Sequence, residues 1–211
     1  MILFKTLTVI QAINWAVNDQ QVDVVSMSFG WDKEVMVNGK PVVSNAISGT
    51  LGSRDQKVLF FAAASNFGGG KRVMFPATHK DVFSIRATNT RGFHPDFNAS
   101  LSKNDPFVLG TLGYRVPTAR RGNTQTPIGR TGTSVATAVT AGMVALILGY
   151  INTSPARMSW ESVKTYDKML FVLEALSEEP EKKKRFITPD KFPLSSNSVK
   201  EFEALLTMAS T

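Results

Sequence analysis

A long stretch without any charged residue, from Thr131 to Ala156, limits the folds that this chain can adopt. Such a stretch must leave water, either as a helix that crosses a membrane or as the central helix of a folded domain. Its strongly apolar part is only Met143 to Leu148, and threonine, glycine and asparagine interrupt the rest. We therefore predict a buried central helix that begins near Ser134, and no membrane-spanning segment.

Short apolar runs alternate with helix-like segments before this helix. Two segments, Thr6 to Gln20 and Val42 to Leu51, place apolar residues at helical spacing. Three runs are rich in β-branched or aromatic residues, as in the buried strands of a parallel sheet: Asp23 to Phe29, Val58 to Ala64 and Val82 to Ala87. The alternation predicts an α/β layer architecture around a mostly parallel sheet. In such sheets, functional sites lie outside the carboxyl ends of the strands.

The remaining segments carry weaker signals. Residues 88 to 130 are predicted to be rich in loops, with short strands near Val108 and from Tyr114 to Val116. Beyond Pro155 we predict a surface helix from Trp160 to Leu176 and a short helix from Val199 to Met208. The basic run Lys182 to Arg185 follows the acidic stretch Glu178 to Glu181, which predicts a solvated loop with compensating charges.

Composition narrows the classes of function. The chain has no cysteine, which excludes disulfides, thiolate zinc sites and a thiol nucleophile, and slightly favours an intracellular protein. The stretch Met1 to Lys5 is too short for the core of a signal peptide. The net charge is +7, but the basic residues are spread out and do not interleave with aromatic residues, so we do not expect nucleic-acid binding.

A serine between small residues stands where the central helix begins. Ser134 follows Gly132 and Thr133, and glycine leaves room for a tight turn and for an approaching substrate. The amino-terminal N–H groups of a helix stabilise a developing anion, so this serine is a candidate nucleophile. By itself the triplet is more often a helix cap than a nucleophile.

Small residues and an amide follow the predicted strands. Asn66 lies beyond the second strand, where its side-chain amide could donate to an oxyanion, although a turn asparagine is the simpler interpretation. The segments Ser28, Phe29, Gly30 and Ala63, Ala64, Ser65 end the first two strands. We expect their free backbone groups to pair with an extended peptide, or else both segments are plain core strands.

Together, four segments resemble the subtilisin-like serine proteases, the subtilase family of peptidase S8 type. They are Ile10 to Gly30, Ala62 to Gly68, Phe75 to Thr88, and Gly132 to Thr137 with Ala141 and Gly142. The resemblance covers about residues 5 to 155. It implies a three-layer fold, the C-terminal part of a catalytic domain in residues 1–155 and a C-terminal extension in residues 156–211.

The resemblance also implies the chemistry of the site. Ser134 would be the nucleophile, Asn66 and the Ser134 N–H would hold the oxyanion, and a peptide or protein would be the substrate. Pro76 would follow a cis peptide bond, as is frequent in the family. We predict no cofactor. Structural calcium is common in the family and stays open for this chain, in which no carboxylate cluster marks a site.

The family's aspartate and histidine motifs precede the first substrate-binding strand, and this chain lacks them. His79 and His94 both follow Asn66 and stand in different sequence contexts. We therefore expect a catalytic domain truncated at its N-terminus, a missing N-terminal half as a possible partner, and no activity of the chain alone. The alternatives are a protease-like fragment that binds peptides or a partner without cleaving them, and a basic scaffold for an anionic polymer.

Overall fold

The computed structural model describes residues 2–101, 106–120, 122–192 and 196–211 of the chain. A π-helical turn (Trp15–Asp19) follows the first α-helix. Two short 3₁₀ helices, Glu161–Lys164 and Pro189–Lys191, each precede one of the last two α-helices. The other elements, in chain order, are α1 (Ile2–Asn14), β1 (Val24–Met27), β2 (Met36–Val37), β3 (Lys40–Pro41), α2 (Val42–Ser53), β4 (Leu59–Ala63), β5 (Val82–Thr88), β6 (Val108–Leu112), β7 (Val116–Arg120), β8 (Asn123–Arg130), α3 (Thr133–Thr153), α4 (Arg157–Trp160), α5 (Tyr166–Ala175), β9 (Ser177–Glu181), β10 (Lys184–Ile187) and α6 (Ser196–Ser210).

A six-stranded sheet in the order β1-β4-β5-β6-β10-β9 organises the fold. All neighbours from β1 to β10 are parallel, and only β9 runs antiparallel at the edge. Two small antiparallel hairpins, β2–β3 and β7–β8, lie outside this sheet. The mostly parallel sheet that we predicted is confirmed.

Helices cover both faces of the sheet, because alternate strand residues point to opposite sides. In β4, Phe60 and Ala62 pack with α1 and α2, whereas Leu59 and Phe61 pack with α3, α5 and α6. Phe61 stacks on Phe83 of β5 with ring centroids 4.7 Å apart. The apolar run of β4 is therefore continuous because the strand is buried on both faces.

The uncharged stretch forms α3, which lies against the sheet as predicted. By length and composition alone, α3 is the one helix among the described residues that could cross a membrane. Here it packs along four parallel strands, and Val144, Ile147 and Ile151 are fully buried. Its buried side therefore belongs to the larger of the two core clusters.

The predicted surface helix from Trp160 to Leu176 is wrong in two respects. The segment is broken into α4, a 3₁₀ helix and α5, and Thr165 between the last two has an extended backbone. Its side chains are also not superficial: Val163, Met169 and Leu173 are completely buried against α3 and the sheet.

The predicted loop at Glu178 to Arg185 is also wrong, because these residues form the hairpin β9–β10. Lys184 pairs with Glu181 at 2.9 Å, and Arg185 pairs with Glu174 of α5 at the same distance. The opposite charges are thus paired within the hairpin and between the hairpin and α5. Since β10 continues the main sheet, residues on both sides of position 155 share one sheet, and a domain boundary there stays a prediction.

Candidate active site

Three hydrogen bonds hold the turn before α3 at the carboxyl ends of the parallel strands. The Gly132 N–H donates to Gly113 O (2.8 Å) beyond β6, and the Thr133 N–H donates to Asn66 Oδ1 (2.7 Å) beyond β4. The Ser28 hydroxyl, beyond β1, donates to Ser134 O (3.2 Å). The fold therefore brings Ser28, Asn66 and Ser134 to one turn, and their roles stay predictions.

Gly132 is required by this geometry. Its φ of +149° belongs to a region that side chains rarely adopt, and a Cβ there would lie 3.2 Å from Asn66 Nδ2. Any larger residue would strain the turn and crowd the amide that the turn holds.

The Ser134 N–H is the donor left over in the first turn of α3. The N–H groups of Val135 and Ala136 both donate to Gly132 O, and that of Thr133 is taken by Asn66. Because the first N–H groups of a helix have no partner one turn earlier, the Ser134 N–H stays available to an anion. Among the described residues, the Ser134 hydroxyl makes no hydrogen bond.

Asn66 is exposed and is oriented by its own acceptor. Since Oδ1 accepts the Thr133 N–H, the amide presents Nδ2 as a donor beside the turn. Nδ2 of Asn66 and the Ser134 N–H are thus two donors at this turn.

The two predicted substrate segments differ. Ser28, Phe29 and Gly30 carry no backbone pairing in the described part of the chain, so they can pair with a peptide. Ala64 cannot, because its N–H donates to Ile85 O (3.0 Å) and its carbonyl accepts the Met74 N–H (2.9 Å). The expectation of free backbone groups is therefore wrong for Ala64, because both its N–H and its carbonyl are bonded within the chain.

Ala63 and Ser65, the neighbours of Ala64 in sequence, are also buried. Ala63 belongs to β4 and is paired across the sheet, and Ser65 is buried with a φ of +145°. The Ser65 hydroxyl accepts the Phe67 N–H at 3.3 Å, so it supports the loop that carries Asn66.

The segment around Phe75 lies against the residues that follow β1. Phe75 and Trp31 exchange two backbone hydrogen bonds, and the Phe75–Pro76 peptide bond is cis, as the resemblance implied. A Cβ on Gly30 would lie 2.8 Å from Phe75 O. The close approach of these backbones explains why glycine ends this segment.

Gly113 belongs to the site although the sequence analysis did not select it. A Cβ there would lie 2.7 Å from the Ala87 Cβ and 2.9 Å from that of Ala136. A glycine directly after a predicted strand was the available signal, because glycine marks close backbone approach.

Neither histidine contacts Ser134. His79 follows the cis proline, and its Nδ1 accepts the Asp81 N–H at 3.2 Å. Burial lowers the pKa of His79, and the Asp81 charge opposes that shift. The His94 ring packs against Gly110 of β6, and the backbone N–H of His94 donates to Glu181. Burial with the charges of Lys184 and Arg86 lowers the pKa of His94 to about 4.

No metal site accompanies the cluster. In residues 2–101, 106–120, 122–192 and 196–211, no group of three or more histidine and acidic side chains could hold a metal ion. A cavity of about 880 Å³ does not include Ser28, Asn66 or Ser134: it is lined by Val82 and Val108, at the starts of β5 and β6, and also by Lys71 in the loop after Asn66. The candidate site is instead the open surface at the opposite ends of the strands.

The model of the subtilase family matches residues 3–169. The chain belongs to the subtilase family. It is 29% identical over 140 residues to the minor extracellular protease Epr of Bacillus subtilis (strain 168), covering 66% of the chain and 20% of that protein. It is also 29% identical over 159 residues to the major intracellular serine protease of the same strain, covering 73% and 45%. The chain thus spans less than half the length of these curated relatives.

Solved structures share the fold. The prenylagaramide maturation protease PagA matches with a TM-score of 0.65 and 18% identity, over 97% of this chain and 68% of that one. The S218A mutant of the PatA protease domain matches with the same TM-score and 20% identity, over 93% and 65%. The match to PagA includes the residues after position 155, so the C-terminal hairpin and helices have counterparts in that fold.

Proposed function

We propose that this subtilase chain carries the nucleophile and oxyanion hole of a serine-type endopeptidase. The observation that supports this most directly is the 2.7 Å hydrogen bond from the Thr133 N–H to Asn66 Oδ1. A mere helix cap would not need a side chain 67 residues away in sequence, fixed to the turn through its acceptor. Because the acceptor of the amide is fixed in this way, Nδ2 is free to serve as the oxyanion donor that acyl transfer requires.

In the proposed reaction, Ser134 Oγ attacks the scissile carbonyl carbon and the carbonyl oxygen becomes an oxyanion. The Ser134 N–H and Asn66 Nδ2 donate to that oxyanion, and the amino terminus of α3 adds its partial positive charge. Collapse of the tetrahedral adduct breaks the C–N bond, and the amine leaves with the proton that the base took from Ser134. Water then hydrolyses the acyl-serine that remains. The peptide would lie along Ser28 to Gly30, with Ala63 to Ser65 as the wall of its side-chain pocket.

The serine proton needs an acceptor, and we propose that this acceptor lies outside the 211 residues. His94 is buried with a lowered pKa and is packed against β6, and His79 is engaged beside the cis proline. Loss of the base alone costs on the order of a millionfold in turnover in a protease of this family. The chain alone is therefore expected to be inactive on peptides, and a polypeptide that supplies histidine and aspartate would be its partner.

An activated ester tests the nucleophile in the chain alone, because its leaving group departs as an anion without a proton and solvent hydroxide can take the proton of the serine hydroxyl. We expect p-nitrophenyl esters to acylate Ser134 slowly, and mass spectrometry of the tryptic peptide would locate the acyl group. Ser134→Ala should abolish this adduct, whereas Ser154→Ala, at the far end of α3, should leave it unchanged. Acylation at other serines with Ser134 unmodified would contradict the proposal.

Asn66→Ala tests the oxyanion hole. Removal of one such donor costs about 10²- to 10³-fold in rate, so Ser134 acylation should fall by that order. The matched control is Asn152→Ala, an exposed asparagine on α3. Equal rates in Asn66→Ala and the unmodified chain would remove Asn66 from the mechanism.

A second candidate function is peptide or partner binding without cleavage. The positions of the two imidazoles favour it: His79 Nδ1 accepts the Asp81 N–H and the His94 ring packs against Gly110, so neither contacts Ser134 as its base would. Peptide binding to the chain without any acylation of Ser134 by activated esters would support this alternative over the first.

A further inference from the structure

Exposed aromatic residues stand next in sequence to the residues that hold the turn with Ser134. Each of the three residues that hydrogen-bond this turn is followed directly by one of them: Ser28 by Phe29, Asn66 by Phe67, and Gly113 by Tyr114. Their exposed fractions are 39%, 61% and 38%. We call Phe29, Phe67 and Tyr114 the aromatic rim.

Such exposure is costly without a purpose, because an aromatic side chain gains from leaving water. Grouped apolar side chains on a surface mark places where another molecule binds. The rim is grouped by the backbone, since its members follow three strands whose carboxyl ends share one edge of the sheet.

A basic side chain lies near the aromatic ring in two members of the rim. Lys71 Nζ lies 4.9 Å from the centroid of the Phe67 ring, and the Arg115 guanidinium carbon lies 5.3 Å from that of Tyr114. Both cations are exposed, and in the described part of the chain neither forms an ion pair with a carboxylate. The rim therefore presents apolar faces with positive charge beside them.

The spacing of the rim suits a short extended peptide. The strand order β1-β4-β5-β6 puts three inter-strand steps between Phe29 and Tyr114. At about 4.8 Å a step this is about 14 Å, which four to five extended residues span. The free backbone of Ser28 to Gly30 lies at one end of this path.

We propose that the aromatic rim selects substrates, favouring extended segments that combine large apolar side chains with carboxylates. The selection rests on the proposed function, because it concerns the peptide held beside Ser134. The apolar side chains would cover the rings, and the carboxylates would pair with Lys71 and Arg115.

Fluorescent hexapeptides test this selection by anisotropy on the full chain carrying Ser134→Ala, which prevents turnover. The first peptide alternates leucine or phenylalanine with glutamate, the second replaces glutamate by glutamine, and the third replaces the apolar residues by alanine. We expect the first to bind most tightly and the third least. Its advantage over the second should shrink as salt is raised.

Variants assign the preference to the rim. Phe67→Ala and Tyr114→Ala should each weaken binding of the first two peptides about three- to tenfold. The control is Phe171→Ala, which removes an aromatic residue of similar exposure (42%) from α5. Lys71→Ala with Arg115→Ala should abolish the preference for glutamate over glutamine, whereas Lys200→Ala on α6 should leave it intact.

Equal binding of the apolar and alanine peptides would overturn the proposal, as would an equal loss in Phe171→Ala and Phe67→Ala. The outcome is separable from that of the catalytic proposal, because binding requires no acylation. If the peptide ranking holds while activated esters never acylate Ser134, the rim stands and the endopeptidase function fails. If Ser134 is acylated and peptides bind without preference, the rim fails and the function stands.

Discussion

Ser65 offers a direct measurement of backbone strain beside the oxyanion donor. It is buried, and its φ of +145° lies where residues other than glycine are rare. A side chain held in such a conformation costs about 1–3 kcal/mol. Ser65→Gly removes this cost, and Ser65→Ala retains it.

The two variants give a clean difference because both lose the same hydroxyl. That hydroxyl accepts the Phe67 N–H at 3.3 Å, so its loss cancels in the comparison. Glycine also gains freedom in the unfolded chain, which costs about 0.5–1 kcal/mol. The free energy of unfolding should therefore be about 1–2 kcal/mol higher for Ser65→Gly than for Ser65→Ala, a gap of about 2–8 °C in melting temperature.

Urea unfolding followed by far-UV circular dichroism would measure this difference. Ser177 is the matched control, since it is equally buried and its hydroxyl donates to Glu174 O, but its backbone is that of an ordinary strand. There the order should reverse, with Ser177→Gly less stable than Ser177→Ala by about 0.5–1 kcal/mol. The same order at both positions would refute strain at Ser65.

Three further predictions concern pH, the core and surface charge. Burial and nearby cations lower the pKa of His94 from 6.5 to about 4, so the folded state binds fewer protons than the unfolded state between these values. The free energy of unfolding should fall as the pH drops from 6.5 toward 4, and urea titrations of His94→Asn should show a weaker decline; an unchanged decline would contradict this. In α3, Ile147 is 1% exposed and Leu146 is 69% exposed. Ile147→Ala should therefore lower the free energy of unfolding, measured by thermal unfolding, by about 2–5 kcal/mol, and Leu146→Ala by less than about 0.5 kcal/mol. Similar losses in the two variants would show that Ile147 is not in the core. Asp23 lies 3.5 Å from Arg54 and 3.6 Å from Lys164. Asp23→Asn should cost at most about 1 kcal/mol, measured as a loss that shrinks with added salt; a salt-independent loss would point to packing instead.

The sheet and central helix could be predicted because burial on two faces leaves a plain sequence signal. The run from Leu59 to Ala63 is apolar throughout, and α3 has no charge at all. The hairpin β9–β10 gave the opposite signal, since an edge strand tolerates charged residues and Ser177 to Glu181 is mostly charged. The break at Thr165 had no proline or glycine to announce it.

The site could be predicted in part for a similar reason. Gly132 to Ser134 and Asn66 carry residue types that their local geometry demands, so they are visible in sequence. The role of Ala64 depends on its hydrogen bond with Met74, and that of Gly113 on its hydrogen bond with Gly132. Both bonds join residues that are distant in sequence. Local patterns do not report such contacts.

The position of β10 has a consequence for biosynthesis. This strand lies between β6 and β9, yet it is translated long after β6, once α3, α4 and α5 have been made. Until Lys184 to Ile187 leave the ribosome, the open edge of β6 can pair with other chains. We expect nascent chains stalled before Lys184 to require a chaperone, and those stalled well beyond Ile187 to be released from it.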